Sequence, residues 1–206
     1  MIKFLKDAAR NNFSQKTCLL RIDLNISPDE KESFRLEAVI PTIKFLLKNK
    51  AKKIIILSHR GHPKKHDKKL SLKPFAEALS KKLKTKVAFV PHLQQLEQLQ
   101  HSIILLENLR FDPREEKNDK EYAEKLASLG DIYTNDAFSV SHRKNASVCA
   151  ITEFLPSYAG LLFEKEIKNL DKAMKKYEKP LTVIIGGIKT GDKAGLIKYF
   201  KDKADY

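Results

Sequence analysis

Five stretches of the chain carry side chains that could do chemistry, and each follows an apolar run. Asp23 and Asn25 stand two apart, close behind the run 18–20. On a strand that spacing puts both side chains on one side, offering a carboxylate and an amide to hydroxyls or ordered water. The same pair could simply terminate a strand. His59, Arg60 and His62 surround Gly61 after the run 54–57. A glycine lets the backbone approach a ligand and the flanking cations suit an anion, although a solvated basic loop would read the same way. Arg110 follows the run 103–106 together with Glu107 and Asn108. Glu107 is placed to orient the guanidinium, with a purely structural ion pair as the other reading. Arg143 lies beside His142 in the loop after Asn135 and Asp136. Gly186, Gly187, Lys189 and Lys193 form a glycine turn with two lysines entering a helix. Backbone N–H groups at such a turn bind phosphate and lysine adds charge. The spacing is not that of the G-x-x-x-x-G-K-[ST] loop.

The elements that must position these groups are legible in the apolar pattern. Short runs without alternation at 18–24, 53–58, 86–90, 102–107 and 131–135 suit strands buried on both faces of a parallel sheet. Amphipathic spacing predicts helices after Arg35, after Ser71, over 119–129 and over 161–177. Pro41 predicts a start or kink in the first of these. Residues 92–101 read as a polar connection with a short helix, 148–155 as a further apolar segment, and 181–187 as a fresh buried strand. Four of the seven glycines fall between Gly186 and Gly195, a composition shift that places a domain boundary near 160–180. In open α/β sheets ligands bind outside the carboxyl ends of the strands. Four strands that each finish in Arg, His, Asn or Asp therefore predict one shared polar site.

Composition narrows the partner. The 206 residues hold 40 Lys and Arg against 26 Asp and Glu, a net charge of +14. Only seven are arginines, and five of them (Arg21, Arg35, Arg60, Arg110, Arg143) sit within or close to the strand ends. Arginine grips carboxylate and phosphate in a fixed fork, whereas lysine is the usual solvated charge. That distribution favours a compact anion site over a diffuse nucleic-acid face. A non-catalytic anion- or nucleic-acid-binding module on the same fold is the alternative the charge allows. No apolar run approaches the roughly 18 residues of a membrane span, and residues 1–16 lack the apolar core of a signal peptide. Cys18 and Cys149 have neither disulfide nor metal spacing, so a cytoplasmic location with both thiols reduced is the simplest placement.

The motifs 21–25 (Arg-Ile-Asp-Leu-Asn), 58–63, 71–74, 106–111 (Leu-Glu-Asn-Leu-Arg-Phe), 135–138, His142-Arg143 and 186–193 together resemble phosphoglycerate kinase, in order and spacing. The resemblance implies a three-layer, Rossmann-like α/β domain with a mainly parallel sheet flanked by helices. It implies a phosphoglycerate-binding domain over 1–158, an interdomain helix over 159–179 and, from 180 to 206, the beginning of an incomplete nucleotide-binding domain. It further implies reversible phosphoryl transfer between 1,3-bisphosphoglycerate and ADP, giving 3-phosphoglycerate and ATP, by a monomer. On that resemblance Asp23 and Asn25 contact the glycerate, and Arg35 and Lys189 stabilise the transferring phosphoryl group. His59, Arg110 and Arg143, with Arg60 and His62 nearby, hold carboxylate and phosphate. Gly186, Gly187, Lys189 and Lys193 face the phosphates of Mg-ATP or Mg-ADP. The metal ligand is expected beyond residue 206, and the 206 residues alone are expected to bind without turning over. Three positions depart from the family pattern: His62 stands where an arginine is usual, Asn145 where a second histidine is usual, and Ile188 where the residue is small.

Overall fold

The sheet begins with β1 (Thr17–Arg21), β2 (Lys53–Leu57), β3 (Val87–Val90) and β4 (Ile103–Leu106), and is completed by β5 (Ile132–Asn135) and β6 (Ser157–Ala159). The structure is a computed structural model and describes residues 2–8, 12–27, 34–96, 99–175, 177–186 and 193–206. All strand pairs are parallel, in the order β3-β4-β2-β1-β5-β6. Register sets Leu19 opposite both Ile55 and Tyr133, and Leu20 opposite Ile56 and Thr134. Neighbouring residues on a strand point to opposite faces. Leu20, Ile54, Ile56, Leu105 and Ile132 therefore meet Leu36 and Ile43 of α1 (Phe34–Lys48) and Phe75 and Leu79 of α2 (Lys73–Leu83). Leu19, Ile55, Ile104 and Tyr133 meet Tyr122 and Leu126 of α3 (Lys120–Ala127) and Ile151 of the 3-10 turn Ala150–Glu153. Both faces are covered, which is why the strands read as continuous apolar runs rather than as alternation. Burial of one such Leu, Ile or Phe side chain contributes roughly 1.5–3 kcal/mol.

The three-layer parallel architecture is as expected, while several local expectations change. Pro41 lies inside α1 and does not start it, so the helix runs through the proline with one backbone bond fewer. β6 was not foreseen. It is three residues long at the sheet edge, too short for a period to show. Residues 181–186 form no strand, and Ile184 is 93% exposed. An apolar run becomes a strand only when a neighbouring strand takes up its N–H and C=O groups in a continuous ladder, and among the described residues only Asp205 and Tyr206 bond to its backbone, at Leu181 and Val183.

Contacts divide the chain into two compact units, residues 1–166 and 167–206, with the division inside α4 (Leu161–Lys175). The second unit contains the rest of α4 and α5 (Ala194–Phe200). Its C-terminal residues fold onto 179–183: Leu181 O accepts from Asp205 N at 2.8 Å, Val183 N donates to Tyr206 O at 3.0 Å, and Lys179 Nζ pairs with Asp205 at 2.7 Å. Among the described residues no helix is long and apolar enough to cross a membrane.

Candidate functional site: an arginine and histidine cradle at the strand ends

The carboxyl ends of β1, β2, β4 and β5 bring most of the singled-out residues together. Asp23 and Asn25 lie beyond the end of β1, in the loop, rather than on the strand. Their side chains therefore diverge, contrary to the strand reading. Asp23 Oδ2 accepts from Arg35 Nη1 at 2.8 Å and from Ser139 Oγ at 2.5 Å, while Asp23 Oδ1 caps the Asn25 N–H. Asn25 Oδ1 instead receives the Gly61 N–H at 2.8 Å, tying the first loop to the second. Gly61 has φ +62°, in the left-handed region, and the Leu70 side chain packs where a Cβ would project. Arg35 opens α1 and keeps 41% of its side chain exposed beside a cavity of about 320 Å³ lined also by Phe34, Val39 and Leu162.

Arg110 is, with Arg21, one of two buried cations of the group among the described residues. It is 4% exposed, donates from Nη1 to Gly61 O at 2.6 Å, and sits against the His62 ring. Its Nε lies 3.2 Å from Glu116 Oε1, an ion-pair contact without hydrogen-bond alignment. The same Glu116 oxygen is 3.0 Å from His62 Nδ1. Glu107 does not orient Arg110. Its carboxylate accepts from Ser71 Oγ and from the backbone N–H of Leu72 and Asn108, and so anchors the start of α2 to the end of β4. Burial lowers the Arg110 pKa, Arg143 and Arg21 push the same way, and Glu116 opposes them. A guanidinium keeps its proton in proteins, so the cost of crowding cations remains available to an incoming anion.

His59 is 1% exposed at the end of β2. Arg21 Nη2 lies 2.9 Å from its Nδ1. Burial first, then the charges of Arg21, Arg110, Arg143 and His62, push its pKa down to about 2. His59 is therefore a neutral imidazole, not one of the site's cations. Arg143 is exposed in the loop after β5 and is near enough to act on both His59 and Arg110. Arg60 turns away from this group. Its Nε donates to Ile26 O at 2.9 Å and its Nη1 to Lys69 O at 2.5 Å, with the guanidinium over the Phe75 ring. It staples two loops together.

Sequence reasoning missed Ser139 and Glu116 and underused Arg21. The two acidic residues at 115–116, next to the basic strand ends, were the available signal for Glu116. Ser139 had none beyond proximity to Asp136. Gly187, Ile188 and Lys189 lie outside the described residues. Lys193 stands immediately before α5, and the space where a Cβ on Gly186 would project is open. Among the described residues no cluster of His, Cys, Asp and Glu could hold a metal ion. The described residues thus offer one lysine and one glycine toward a nucleotide and do not amount to a magnesium-nucleotide site.

The phosphoglycerate kinase family model matches residues 6–206. Similar proteins include phosphoglycerate kinase from Wolbachia pipientis wMel, 44% identical over 93% of this chain and 50% of its own length. Another is phosphoglycerate kinase from Coprothermobacter proteolyticus, 40% identical over 99% of this chain and 54% of its own length. The solved structure of phosphoglycerate kinase from Coxiella burnetii superposes with a TM-score of 0.82 at 32% identity, covering 100% of this chain and 53% of that one. The chain spans about half the length of the curated relatives it matches.

Proposed function

Because the chain belongs to the phosphoglycerate kinase family, we propose that it supplies the phosphoglycerate-binding half of such a kinase. Residues 1–158 bind 3-phosphoglycerate or 1,3-bisphosphoglycerate, 159–179 form the linking helix, and 180–206 begin the nucleotide-binding half. The complete activity is reversible phosphoryl transfer between 1,3-bisphosphoglycerate and ADP. Transfer of this kind depends on positioning and on neutralising charge more than on covalent catalysis.

The observation that carries this reading is the buried Arg110. It is held with Arg21, Arg143 and His62 around one neutral histidine, and only two carboxylates, Glu116 beside it and Glu115 behind Ser147, act against these cations on Arg110 among the described residues. A ligand with a carboxylate at one end and a phosphate at the other would relieve that excess of positive charge. Arg110 and Arg143 take the anionic groups, His59 donates a hydrogen bond, Asp23 faces the glycerate hydroxyl, and Asn25 contributes by holding the Gly61 turn against which Arg110 is set. Arg35, half-buried at the start of α1, reaches toward the phosphoryl group in transfer. Gly186, Gly187, Lys189 and Lys193 approach the nucleotide phosphates from the other half.

Isothermal titration of the chain with 3-phosphoglycerate tests the proposal. Saturable one-to-one binding is expected, weakened at least tenfold, about 1.4 kcal/mol, by Arg110→Ala. The 206 residues alone are expected to show no turnover in an ATP-coupled assay. No heat with 3-phosphoglycerate, or equal binding by Arg110→Ala, would sink the reading.

A further inference from the structure

A continuous buried chain of side chains runs from the loop after β4 to His59. Glu115, fully buried, accepts the Ser147 N–H at 2.9 Å and the Ser147 hydroxyl at 2.6 Å. Ser147 Oγ, its proton thus committed, accepts from Arg21 Nε at 2.9 Å. Arg21 Nη1 donates to Ile22 O at 2.5 Å, and Nη2 faces His59 Nδ1 at 2.9 Å. Tyr133 donates its hydroxyl proton to Ser147 O at 2.6 Å, fixing the serine from the other side.

Every proton direction along this chain is determined. A guanidinium has only donors. The nitrogen that faces it must accept, so His59 Nδ1 is unprotonated. A neutral imidazole has one donor and one acceptor, so the remaining proton is on Nε2. That nitrogen is buried and has no partner among the described residues. We propose that Glu115, Ser147 and Arg21 are positioning residues that lock His59 in the Nε2–H tautomer, so that it serves the site as a permanent neutral donor.

Charge around the ring acts in the same direction. Arg21 comes from β1, His62 from the loop after β2, Arg110 from the turn after β4 and Arg143 from the loop after β5, and all four oppose a second proton on His59. An imidazolium would also have to aim an Nδ1–H at Arg21. The consequence for the ligand rests on the phosphoglycerate reading above: His59 gives one hydrogen bond to a carboxylate or phosphate oxygen, with a strength that does not change across neutral pH. It cannot accept a proton from the reaction.

The test needs no ligand. Long-range ¹H–¹⁵N NMR of the ¹⁵N-histidine-labelled chain, recorded from pH 5 to 8.5, reports the tautomer directly. His59 is expected to show a protonated Nε2 and an unprotonated Nδ1 throughout, with no shift between the end points. An Nδ1–H tautomer, or an imidazolium at pH 5 to 6, would overturn the proposal, and this measurement requires no variant that might misfold. Arg21→Lys, which keeps the charge and loses the fork, and Ser147→Ala are each expected to give a mixed or titrating His59 signal. A folded variant of either kind that retained the pure Nε2–H signature would remove that residue from the role. Titration with 3-phosphoglycerate is a separate arm, so failure to bind would count against the functional reading and not against the tautomer.

Discussion

At the scale of single residues the cations around Arg110 are opposed by two carboxylates, the buried Glu115 and the accessible Glu116. Glu116 is 42% exposed and touches both His62 and Arg110. Partly exposed pairs of this kind are worth about 0–1 kcal/mol, and the His62 pair is ionic only when the imidazole is protonated. An anionic ligand reaching Arg110 competes with that carboxylate. Glu116→Gln should therefore tighten binding of 3-phosphoglycerate or inorganic phosphate by up to about fivefold in a titration at fixed salt. Unchanged or weaker affinity would show that the carboxylate supports the pocket rather than competing for it. The two thiols make a second comparison. Burial, then the charge of Asp131, pushes the Cys18 pKa up to about 12, whereas Cys149 is exposed. The thiolate is the reacting form. A thiol-labelling time course of the native chain should show one reactive group, Cys149, with Cys18 appearing only on unfolding.

At the scale of elements the junction between β6 and α4 is closely packed against Asp136. Asp136, fully buried at the end of β5, accepts the Phe163 N–H in the first turn of α4 at 3.1 Å. Gly160 lies so close that a Cβ would overlap the carboxylate. Gly160→Ala should therefore lower the denaturant midpoint by more than any exposed glycine replacement. An unchanged midpoint would mean that the helix start can shift without cost. Burial pushes the Asp136 pKa up from its ordinary 3.8 to about 6, against the Thr42 hydroxyl and the helix N–H groups. Between those values the folded chain holds a proton that the unfolded chain has released, so this group costs stability as pH rises through that window. His59 acts in the opposite sense. Its folded pKa lies far below the ordinary 6.5, so stability is lost as pH falls below about 6.5 and the unfolded histidine takes up a proton. Asp136→Asn removes the first effect and leaves the second. Its unfolding free energy should fall more steeply from pH 7 to pH 5 than that of the unaltered chain. Parallel pH profiles would show that Asp136 is ionised in the fold.

At the scale of the whole molecule the question is how a net charge of +14 is used. A compact anion site and a nucleic-acid surface differ in salt dependence. Contact with 6–10 phosphates of a duplex costs roughly 10³–10⁵ in affinity between 50 and 200 mM salt. Binding of 3-phosphoglycerate to one buried arginine and its neighbours should weaken by roughly tenfold or less over that range, because buried pairs are screened little. A steeper loss, together with binding of duplex DNA or RNA, would favour the surface lysines as the functional charge.

The chain's local patterns determined the parallel α/β class and the convergence of cations at the strand ends, because both follow from local apolar runs and from where arginine is spent. Those patterns also carried the likeness to phosphoglycerate kinases, since its motifs are contiguous. They could not determine side-chain direction once the strand stops. Asp23 and Asn25 diverge because β1 ends at Arg21, and Arg60 faces away because two backbone carbonyls 34 and 9 residues distant meet it. Glu107 anchors a helix rather than an arginine, because Ser71 and Leu72 lie 36 and 35 residues from it in sequence and next to it in space. The same reason hid the partners of His59. Arg21, Ser147 and Glu115 come from three separated segments, and only the packed fold sets their donors and acceptors in line. A histidine that reads as a cation from its neighbours in the chain is, in the folded protein, a neutral donor with its proton on one nitrogen.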